Sequence, residues 1–473
     1  MSVRSADAFG PGIPPRGNAA SVLVGVLWCM ALLSVMVIGV LHTARMDLLV
    51  MKNCEDRVQA HYLALAGIEK AKALLFQDAR QRSRSRVNHN GALYNAPEQF
   101  REVALGRGQF SVFRRGRLDE GGGIIYGVSD EESLLNVNTA SAEELGKIQD
   151  MTPDIVGAIV DWRDEDNTVS QDGAESDYYL SLRPPYVARN GPLQTIRELL
   201  MVRGITPKLL LGRDYRQNGR SQSLEEGMDS GAADSPDRGW GALLTVDSSS
   251  DNVNAAGEDR VNIQSADESS LGAVQGITPD IAKAIVAYRG RNQFQSLADL
   301  LDVVAAPNQP GQNPGPNQEQ QIQSGTPDNE GGPNNPGANP SGPRVISQDL
   351  LTQIADDLTV ESDDQIRGLV NINTAGLDVL TCLPGLDRQL AQAIISYRSS
   401  SGFFPNIACL LKVQGLTQAI FKQLASQVTA RSETFRILSE GKVNSSGARQ
   451  RIQEIVHIGL QDVTTLSYRE DDL

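Results

Sequence analysis

The sequence predicts an α+β fold. A long N-terminal helix, first transmembrane and then amphipathic, packs on a small antiparallel sheet, and a large all-α region of three helix-hairpin-helix modules is inserted between strands. Three observations support this: an uncharged apolar run that continues into helical periodicity, two distant segments with strand-like alternation, and one motif repeated three times between them. The chain has 473 residues, which is enough for several domains.

The N-terminal run is long enough to cross a bilayer, because residues 18–41 carry no charged side chain. The flank before it holds Arg4 and Arg16 against Asp7, which predicts a cytoplasmic N-terminus and a body on the far side. The run exceeds the roughly 7–15 apolar residues of a signal peptide. It continues into a stripe with mostly three- and four-residue steps, which marks one face of a helix and predicts a single helix over residues 20–78. The stripe comprises Leu48, Met51, Cys54, Val58, Tyr62, Leu65, Ile68 and Leu75.

Two strand-forming segments lie at opposite ends of the remaining chain. Residues 108–128 and 431–470 alternate apolar and polar side chains. We expect them to form one sheet against residues 44–78, with residues 136–430 as an insertion between strands.

The inserted region repeats one motif without gaps over 28 residues. The copies begin at Asn136, Asn262 and Asn371, and each ends at an arginine, Arg163, Arg289 or Arg398. The pattern predicts two helices joined by a tight hairpin. We expect Thr139, Ser265 and Thr374 to cap the first helix of each copy, with a capping box between Ser265 and Glu268.

Helix-hairpin-helix motifs also occur in DNA-binding proteins, where two hairpin glycines let the backbone approach a phosphate. Here Thr152, Thr278 and Asp387 replace the second glycine. The net charge of −15 also disfavours a phosphate backbone. We therefore interpret the modules as packing units and expect no nucleic acid partner. If the modules instead bind DNA, the alternative function is a membrane-anchored receptor for DNA uptake.

An acidic loop follows the first copy, with seven carboxylates within 17 residues. They are Asp161, Asp164, Glu165, Asp166, Asp172, Glu175 and Asp177. Crowded carboxylates are either solvated or share a cation, and Ca²⁺ accepts six to eight oxygens in irregular loops. The residues alone leave both readings open. The glycine and distal glutamate of an EF-hand are missing.

Catalytic signatures are weak. The four histidines have neither metal nor triad spacing, and no phosphate loop, nucleophile elbow or Cys-x-x-Cys occurs. We expect no enzyme activity. Cys382 and Cys409 are either a disulfide or two buried thiols.

Several segments together resemble a known family. Residues 159–182 contain Asp161-Trp-x-Asp and the block Gly173-Ala-Glu-x-Asp-Tyr-Tyr, and residues 60–71 read AHYLALAGIEKA. These features resemble the K-type minor pseudopilin of the type II secretion system, a branch of the type IV pilin-like proteins. In that family a leader is cut after a glycine, which matches Gly17 before Asn18 and implies processing by prepilin peptidase. Val22 stands where most members carry a glutamate, and the K-type branch typically lacks it.

The resemblance implies a subunit at the tip of a periplasmic pseudopilus that supports export of folded proteins across the outer membrane. It implies single-pass inner-membrane anchoring, a periplasmic body and other minor pseudopilins as partners. It also implies a structural Ca²⁺. The residues expected to pack on partner helices are Val22, Leu48, Met51, Val58, Tyr62 and Leu65. The expected calcium ligands are Asp164, Asp166, Glu175 and Asp177.

The predicted division of the chain has nine parts, of which the third helical module and the linker before it depart from the family pattern. They are a leader at 1–17, a transmembrane helix at 18–41, the pilin-like helix and first strands at 42–135, module one with the acidic loop at 136–213, a polar excursion at 214–260, module two at 261–304, a disordered Pro/Asn/Gln/Gly linker at 305–344, module three at 345–430 and the C-terminal strands at 431–473.

Overall fold

A computed structural model describes residues 19–86, 91–212, 239–305 and 343–471. Gly17 and Asn18 therefore lie outside the described residues, as do most of the excursion and most of the linker. The helices are α1 (Ala19–Ser85), α2 (Pro97–Phe100), α3 (Ala142–Gly146), α4 (Pro153–Arg163), α5 (Ser176–Leu180), α6 (Pro207–Leu211), α7 (Glu268–Ala273), α8 (Pro279–Arg289), α9 (Gln348–Ile354), α10 (Leu377–Cys382), α11 (Arg388–Ser401) and α12 (Gln418–Leu424).

The described strands fall into one large sheet and five small pairs. They are β1 (Val103–Leu105), β2 (Gly108–Val112), β3 (Arg114–Arg115), β4 (Ile124–Ile125), β5 (Ser129–Asp130), β6 (Leu135–Asn136), β7 (Leu244–Thr245), β8 (Ser249–Asp251), β9 (Val261–Asn262), β10 (Leu358–Thr359), β11 (Gln365–Arg367), β12 (Val370–Asn371), β13 (Val428–Thr429), β14 (Thr434–Val443), β15 (Arg449–Ile458) and β16 (Val463–Asp471).

The large sheet joins the two ends of the chain, as the alternation predicts. Its order is β1-β2-β14-β15-β16, all antiparallel, and β5 pairs with one end of β14. Strand β2 pairs with β14 through Val112 and Ser439. The predicted sheet and the insertion between its strands are therefore confirmed.

Helix α1 serves two environments along its length. The side chains of its apolar residues from Val22 to Leu41 are exposed, and this part is long and apolar enough to cross a membrane. Its second half packs on the sheet, where Ile68 and Leu75 meet Phe435 and Ile452 in one core.

The apolar stripe of α1 belongs to two faces, so its prediction as one face is wrong. At 3.6 residues per turn, the buried residues form a row whose small side chains bring the helix close to the sheet. That row is Ala60, Ala64, Ile68, Ala71, Leu75 and Ala79. Met51, Val58 and Tyr62 lie on a different side and are 70%, 55% and 64% exposed. They are available to a partner, as are Val22 and Leu48, whereas Leu65 is half-buried.

Each helical module is closed by its own pair of parallel strands. The first strand of a module pairs with its last: β6 with β7, β9 with β10, and β12 with β13. The modules therefore span residues 135–245, 261–359 and 370–429. Each short ladder fixes where the chain enters and leaves, so every module is a closed unit.

This closure corrects three predicted boundaries. Residues 239–245 complete module one, with Trp240 4% exposed, so the excursion at 214–260 ends earlier than expected. Module two continues past 304 to Thr359, because α9 and β10 belong to it. Module three therefore begins at Val370 and not at 345 as predicted. The segment at 305–344 is thus an insertion within module two and does not connect copies two and three. Its two ends are held together, since Ala305 N–H donates to the Pro343 carbonyl at 3.0 Å.

The repeated residues have structural roles that the sequence did not reveal. The first asparagine of each copy accepts a hydrogen bond from the backbone two residues later. The closing arginines Arg163, Arg289 and Arg398 donate to backbone carbonyls of that same turn. The predicted caps are wrong, because this turn delays each first helix by two residues. The actual N-caps are Ser141, Asp267 and Gly376, and the capping box lies at Ser141 and Glu144.

Three consecutive acids attach the modules to the sheet. Asp130 accepts hydrogen bonds from Ser432 at 2.7 Å and from Asn371 at 3.2 Å, so it binds module three. Glu131 pairs with Arg436 on β14 at 2.7 Å. Glu132 is fully buried, and burial beside Asp130 raises its pKa well above the usual range. Glu132 accepts the Thr434 N–H at 3.2 Å and 3.3 Å, so each of the three acids contacts a different neighbour.

Candidate metal centre in the acidic loop

The acidic loop joins two helices of module one. Asp161 lies near the end of α4, and Asp164 caps that helix with its N–H bonded to the Val160 carbonyl at 3.0 Å. Glu175 is the N-cap residue of α5, but its side chain makes no capping hydrogen bond. The loop folds back so that the end of one helix faces the start of the next.

Asp161, Asp164 and Glu175 form a compact cluster. Each offers one carboxylate oxygen, and these oxygens all lie within 4.8 Å of one another. Asp161 is fully buried and Glu175 is 2% exposed. Both Glu175 oxygens and Asp164 Oδ1 are buried without a hydrogen-bond partner among the described residues. Among the described residues, Asp161 accepts the Ser170 N–H, at 3.1 Å and 3.2 Å.

Two glycines let the loop approach α4. A Cβ on Gly173 would lie 2.0 Å from Asp161 Oδ2, and one on Gly157 would lie 2.8 Å from the Gln171 carbonyl oxygen. Neither position has room for a side chain. The glycines therefore allow the close packing that places Glu175 beside α4.

An aromatic group supports the loop from the core side. Trp162 is 2% exposed and packs edge-on to Tyr179, with ring centroids 5.0 Å apart. Its indole N–H donates to Glu198 at 3.1 Å. Since Trp162 and Tyr179 neighbour Asp161 and Glu175 along the chain, their packing fixes the backbone that carries those carboxylates.

The electrostatics of the cluster are unfavourable without a cation. Burial, followed by the charges of Asp166 and Asp161, raises the pKa of Asp164. Burial and the charges of Asp161 and Asp164 raise the pKa of Glu175. Buried carboxylates that repel one another need a proton or a positive ion between them.

The structure brings together two of the four expected ligands. Asp164 and Glu175 lie in the cluster, whereas Asp166 and Asp177 are exposed, and Asp166 Oδ1 accepts the Thr168 N–H at 2.6 Å. Asp161 is the residue that the expectation missed. Its spacing from Asp164 offered a signal, because residues three apart share a helix face.

The donor set fits a hard cation. Three carboxylates supply up to six oxygens, and calcium takes its ligands from such side chains in irregular loops. Histidine and cysteine, which favour zinc and copper, are missing from the three residues of the cluster.

Two protein-family profiles match parts of the chain. The profile described as type II secretion system, protein K, matches residues 134–212, which include the whole acidic loop. A helix-hairpin-helix profile matches residues 257–305 and 366–429.

Several known proteins are similar to the chain. The type II secretion system protein K of Pseudomonas aeruginosa is 25% identical over 306 residues, which cover 60% of this chain and 76% of that protein. That of Klebsiella pneumoniae is 26% identical over 167 residues, 33% of this chain and 48% of that protein. The ComE operon protein 1 of Bacillus subtilis is 38% identical over 73 residues, 15% of this chain and 36% of that protein.

A solved structure is also similar: a chain of the GspK-GspI-GspJ complex from enterotoxigenic Escherichia coli. It has a TM-score of 0.43 and 14% identity, with 88% of this chain and 98% of that chain covered. The sequence matches, which span the acidic loop and more than half of the chain, confirm the resemblance seen in the residues. The chain belongs to the type II secretion system protein K family of minor pseudopilins.

Proposed function

We propose that this minor pseudopilin sits at the tip of a type II secretion pseudopilus and supports export of folded proteins across the outer membrane. Helix α1 anchors it in the inner membrane, and the body lies in the periplasm. The role is structural, and we assign no catalytic step to it.

One observation carries the proposal: a single helix is exposed and apolar at its start and is packed on a sheet at its end. Such a helix holds a folded body at a fixed distance from the membrane. The apolar face between Met51 and Tyr62 is left for neighbouring helices. The helical modules add bulk on the body, which suits an end position because a further subunit above would collide with them.

Export is the direct test. We expect deletion of the gene to abolish secretion of folded substrates, and the intact gene to restore it. Unimpaired export in the deletion strain would contradict the proposal. Tip position is tested separately by subunit counting, since a tip subunit is present once per pseudopilus.

Other minor pseudopilins are the proposed partners. The similar Escherichia coli structure is titled as a complex of GspK, GspI and GspJ, and we extend that assembly to this chain. Co-purification from membranes that contain all three subunits tests it.

Cleavage by prepilin peptidase between Gly17 and Asn18 remains a proposal based on the family resemblance. It predicts a mature chain that begins at Asn18. Intact-mass measurement of the membrane protein decides the point, because an uncut leader adds 17 residues.

We further propose that Asp161, Asp164 and Glu175 bind one structural Ca²⁺ that closes the acidic loop. The unpartnered buried oxygens of Asp164 and Glu175 support this. Isothermal titration of the metal-free protein with Ca²⁺ is the test. We expect one strong site, and its loss in Glu175→Ala, whereas Asp177→Ala is the matched control because Asp177 is exposed.

The alternative of DNA uptake has little support in the hairpins. Asp387 Oδ1 accepts the Leu390 N–H at 2.8 Å and so fills the helix N-terminus that a phosphate would use. Thr278 caps its helix in the same way. A mobility-shift measurement with duplex DNA is expected to show no binding at physiological salt.

A further inference from the structure

A groove opens beside α1 shortly after the membrane-spanning segment, with a volume of about 840 Å³. The helix forms one wall. The loop after β14 and the turn between β1 and β2 form the other. Its lining residues are Leu48, Met51, Lys52, Glu55, Asp56, Arg107, Asn444 and Ser445.

One of the acids that line this groove is buried. Asp56 is only 3% exposed, and its Oδ2 has no hydrogen-bond partner among the described residues. One turn along the helix, Gln59 Oε1 is buried without a partner as well. Arg107 is already bonded to Glu55, with 2.7 Å between Nη2 and Oε1. Two buried acceptors therefore lack a donor.

A cationic side chain is the group that completes this site. A lysine or arginine carries several N–H donors on an apolar stem. The apolar stem of that side chain can pack against Leu48 and Met51, whose side chains are 68% and 70% exposed. The head then meets Asp56, which lines the groove, and a buried carboxylate is stable only when such a charge pairs with it.

The position of the groove favours a protein over a lipid as the source. Asp56 lies 15 residues past Leu41, about 22 Å along the helix at about 1.5 Å per residue. The headgroup layer extends only about 5–8 Å beyond the hydrocarbon. Met51 lines the groove, and together with Val58 and Tyr62 it forms the exposed apolar face that a helix needs.

We propose that a helix of another minor pseudopilin docks along this face and inserts one lysine or arginine into the groove, where it pairs with Asp56. This rests on the proposed partnership and adds the residues that select the partner. The pairing fixes the register between two helices whose apolar faces alone would allow sliding.

The test uses Asp56→Asn in the full-length chain, co-expressed with the other minor pseudopilins of its secretion system. The substitution keeps the shape and removes the charge. We expect recovery of the partners in the detergent-extracted complex to fall at least tenfold, since a buried charge loses its counterpart. Without partners, the variant should melt at the same or a higher temperature, because an unpaired buried charge has been removed. Glu98→Gln, an exposed acid on α2, is the matched control.

Each outcome of this experiment supports or overturns the groove proposal. Wild-type recovery of partners with Asp56→Asn overturns the groove proposal and leaves the proposed function standing. Failure of the wild-type chain itself to recover partners overturns both. If Asp56→Asn instead loses bound phosphatidylethanolamine, measured by mass spectrometry, with partner recovery unchanged, the occupant is a lipid and the proposal is wrong.

Discussion

Modules one and three are built from the same repeat, yet they differ at the connection that follows the second helix of the repeat. In module three, the chain passes from Arg398 to Phe404 in a few residues, and Asn373 holds Phe404 through its backbone. In module one, Asn138 makes the same two bonds to Leu193. The intervening residues 164–192 contain the acidic loop.

The comparison shows that a long loop with a candidate site fits into the repeat without a change in the asparagine bonds at its ends. We call the two hydrogen bonds of each asparagine side chain, Asn138 or Asn373, the amide latch. The latch keeps both ends of the connection at the same place, so the residues between them can differ without moving the helices. Module two shows the same freedom elsewhere, because its long insertion leaves and returns at Val303 and Val345, whose backbones are hydrogen-bonded at 3.0 Å.

Removal of an asparagine side chain that forms the amide latch is expected to have the largest effect on the free energy of unfolding. Asn373 is 4% exposed and bonds Phe404 and the Ala430 carbonyl. We expect Asn373→Ala to lower the free energy of unfolding of module three by about 3–4 kcal/mol, because several buried groups lose partners. Asn138 is only half-buried, so Asn138→Ala should lower the free energy of unfolding of module one by only about 1–2 kcal/mol. Calorimetry of the full chain in detergent measures both, and equal losses would contradict the comparison.

Removal of calcium should destabilise module one alone. At a calcium concentration 100 times the dissociation constant, binding contributes about 2.7 kcal/mol. Chelation is therefore expected to increase hydrogen exchange in residues 153–180 while exchange in residues 370–429 stays unchanged. Glu175→Ala should remove the response to chelator. A uniform increase in hydrogen exchange across both modules would contradict the assignment of the calcium site to module one.

Shortening module two tests its closure. We expect replacement of residues 304–345 by Gln-Gly, the turn at Gln414 and Gly415 of module three, to leave the fold intact. Stability should stay equal or rise by up to about 2 kcal/mol, because a long loop no longer has to be closed. Urea unfolding followed by circular dichroism checks this. Loss of structure in module two would show that the insertion is an essential part of it.

The pH dependence should be the smallest effect. The pKa values of Asp164 and Glu175 are raised in the folded chain, so the folded state binds protons more readily than the unfolded state. In chelator, stability is therefore expected to rise as pH falls from 7 towards 5. In calcium the trend should reverse, since protons displace the ion. Melting temperatures at several pH values, with and without chelator, are the measurement.

Much of the fold followed from periodicity, because repeats and alternation report which faces are buried. The sequence did not show that the stripe on α1 splits into two faces, since Met51 and Ile68 are equally apolar and only the sheet distinguishes them. It also missed the end of module two, because β10 pairs with a strand almost 100 residues earlier. In the candidate site, Asp166 and Asp177 resembled ligands by composition. Which carboxylates turn inward depends on the packing of Trp162 and on the space at Gly173.

The start and end of the inserted region have a mechanical consequence. Asp130 on β5 pairs with Phe435 on β14, and the Glu131 N–H bonds the Thr434 carbonyl at 3.0 Å. The chain thus leaves the sheet and returns to it at adjacent points. Since α1 packs directly on β14 and β15 in one core, a load applied along α1 reaches these strands without passing through the three modules. The modules therefore lie outside the path of that load.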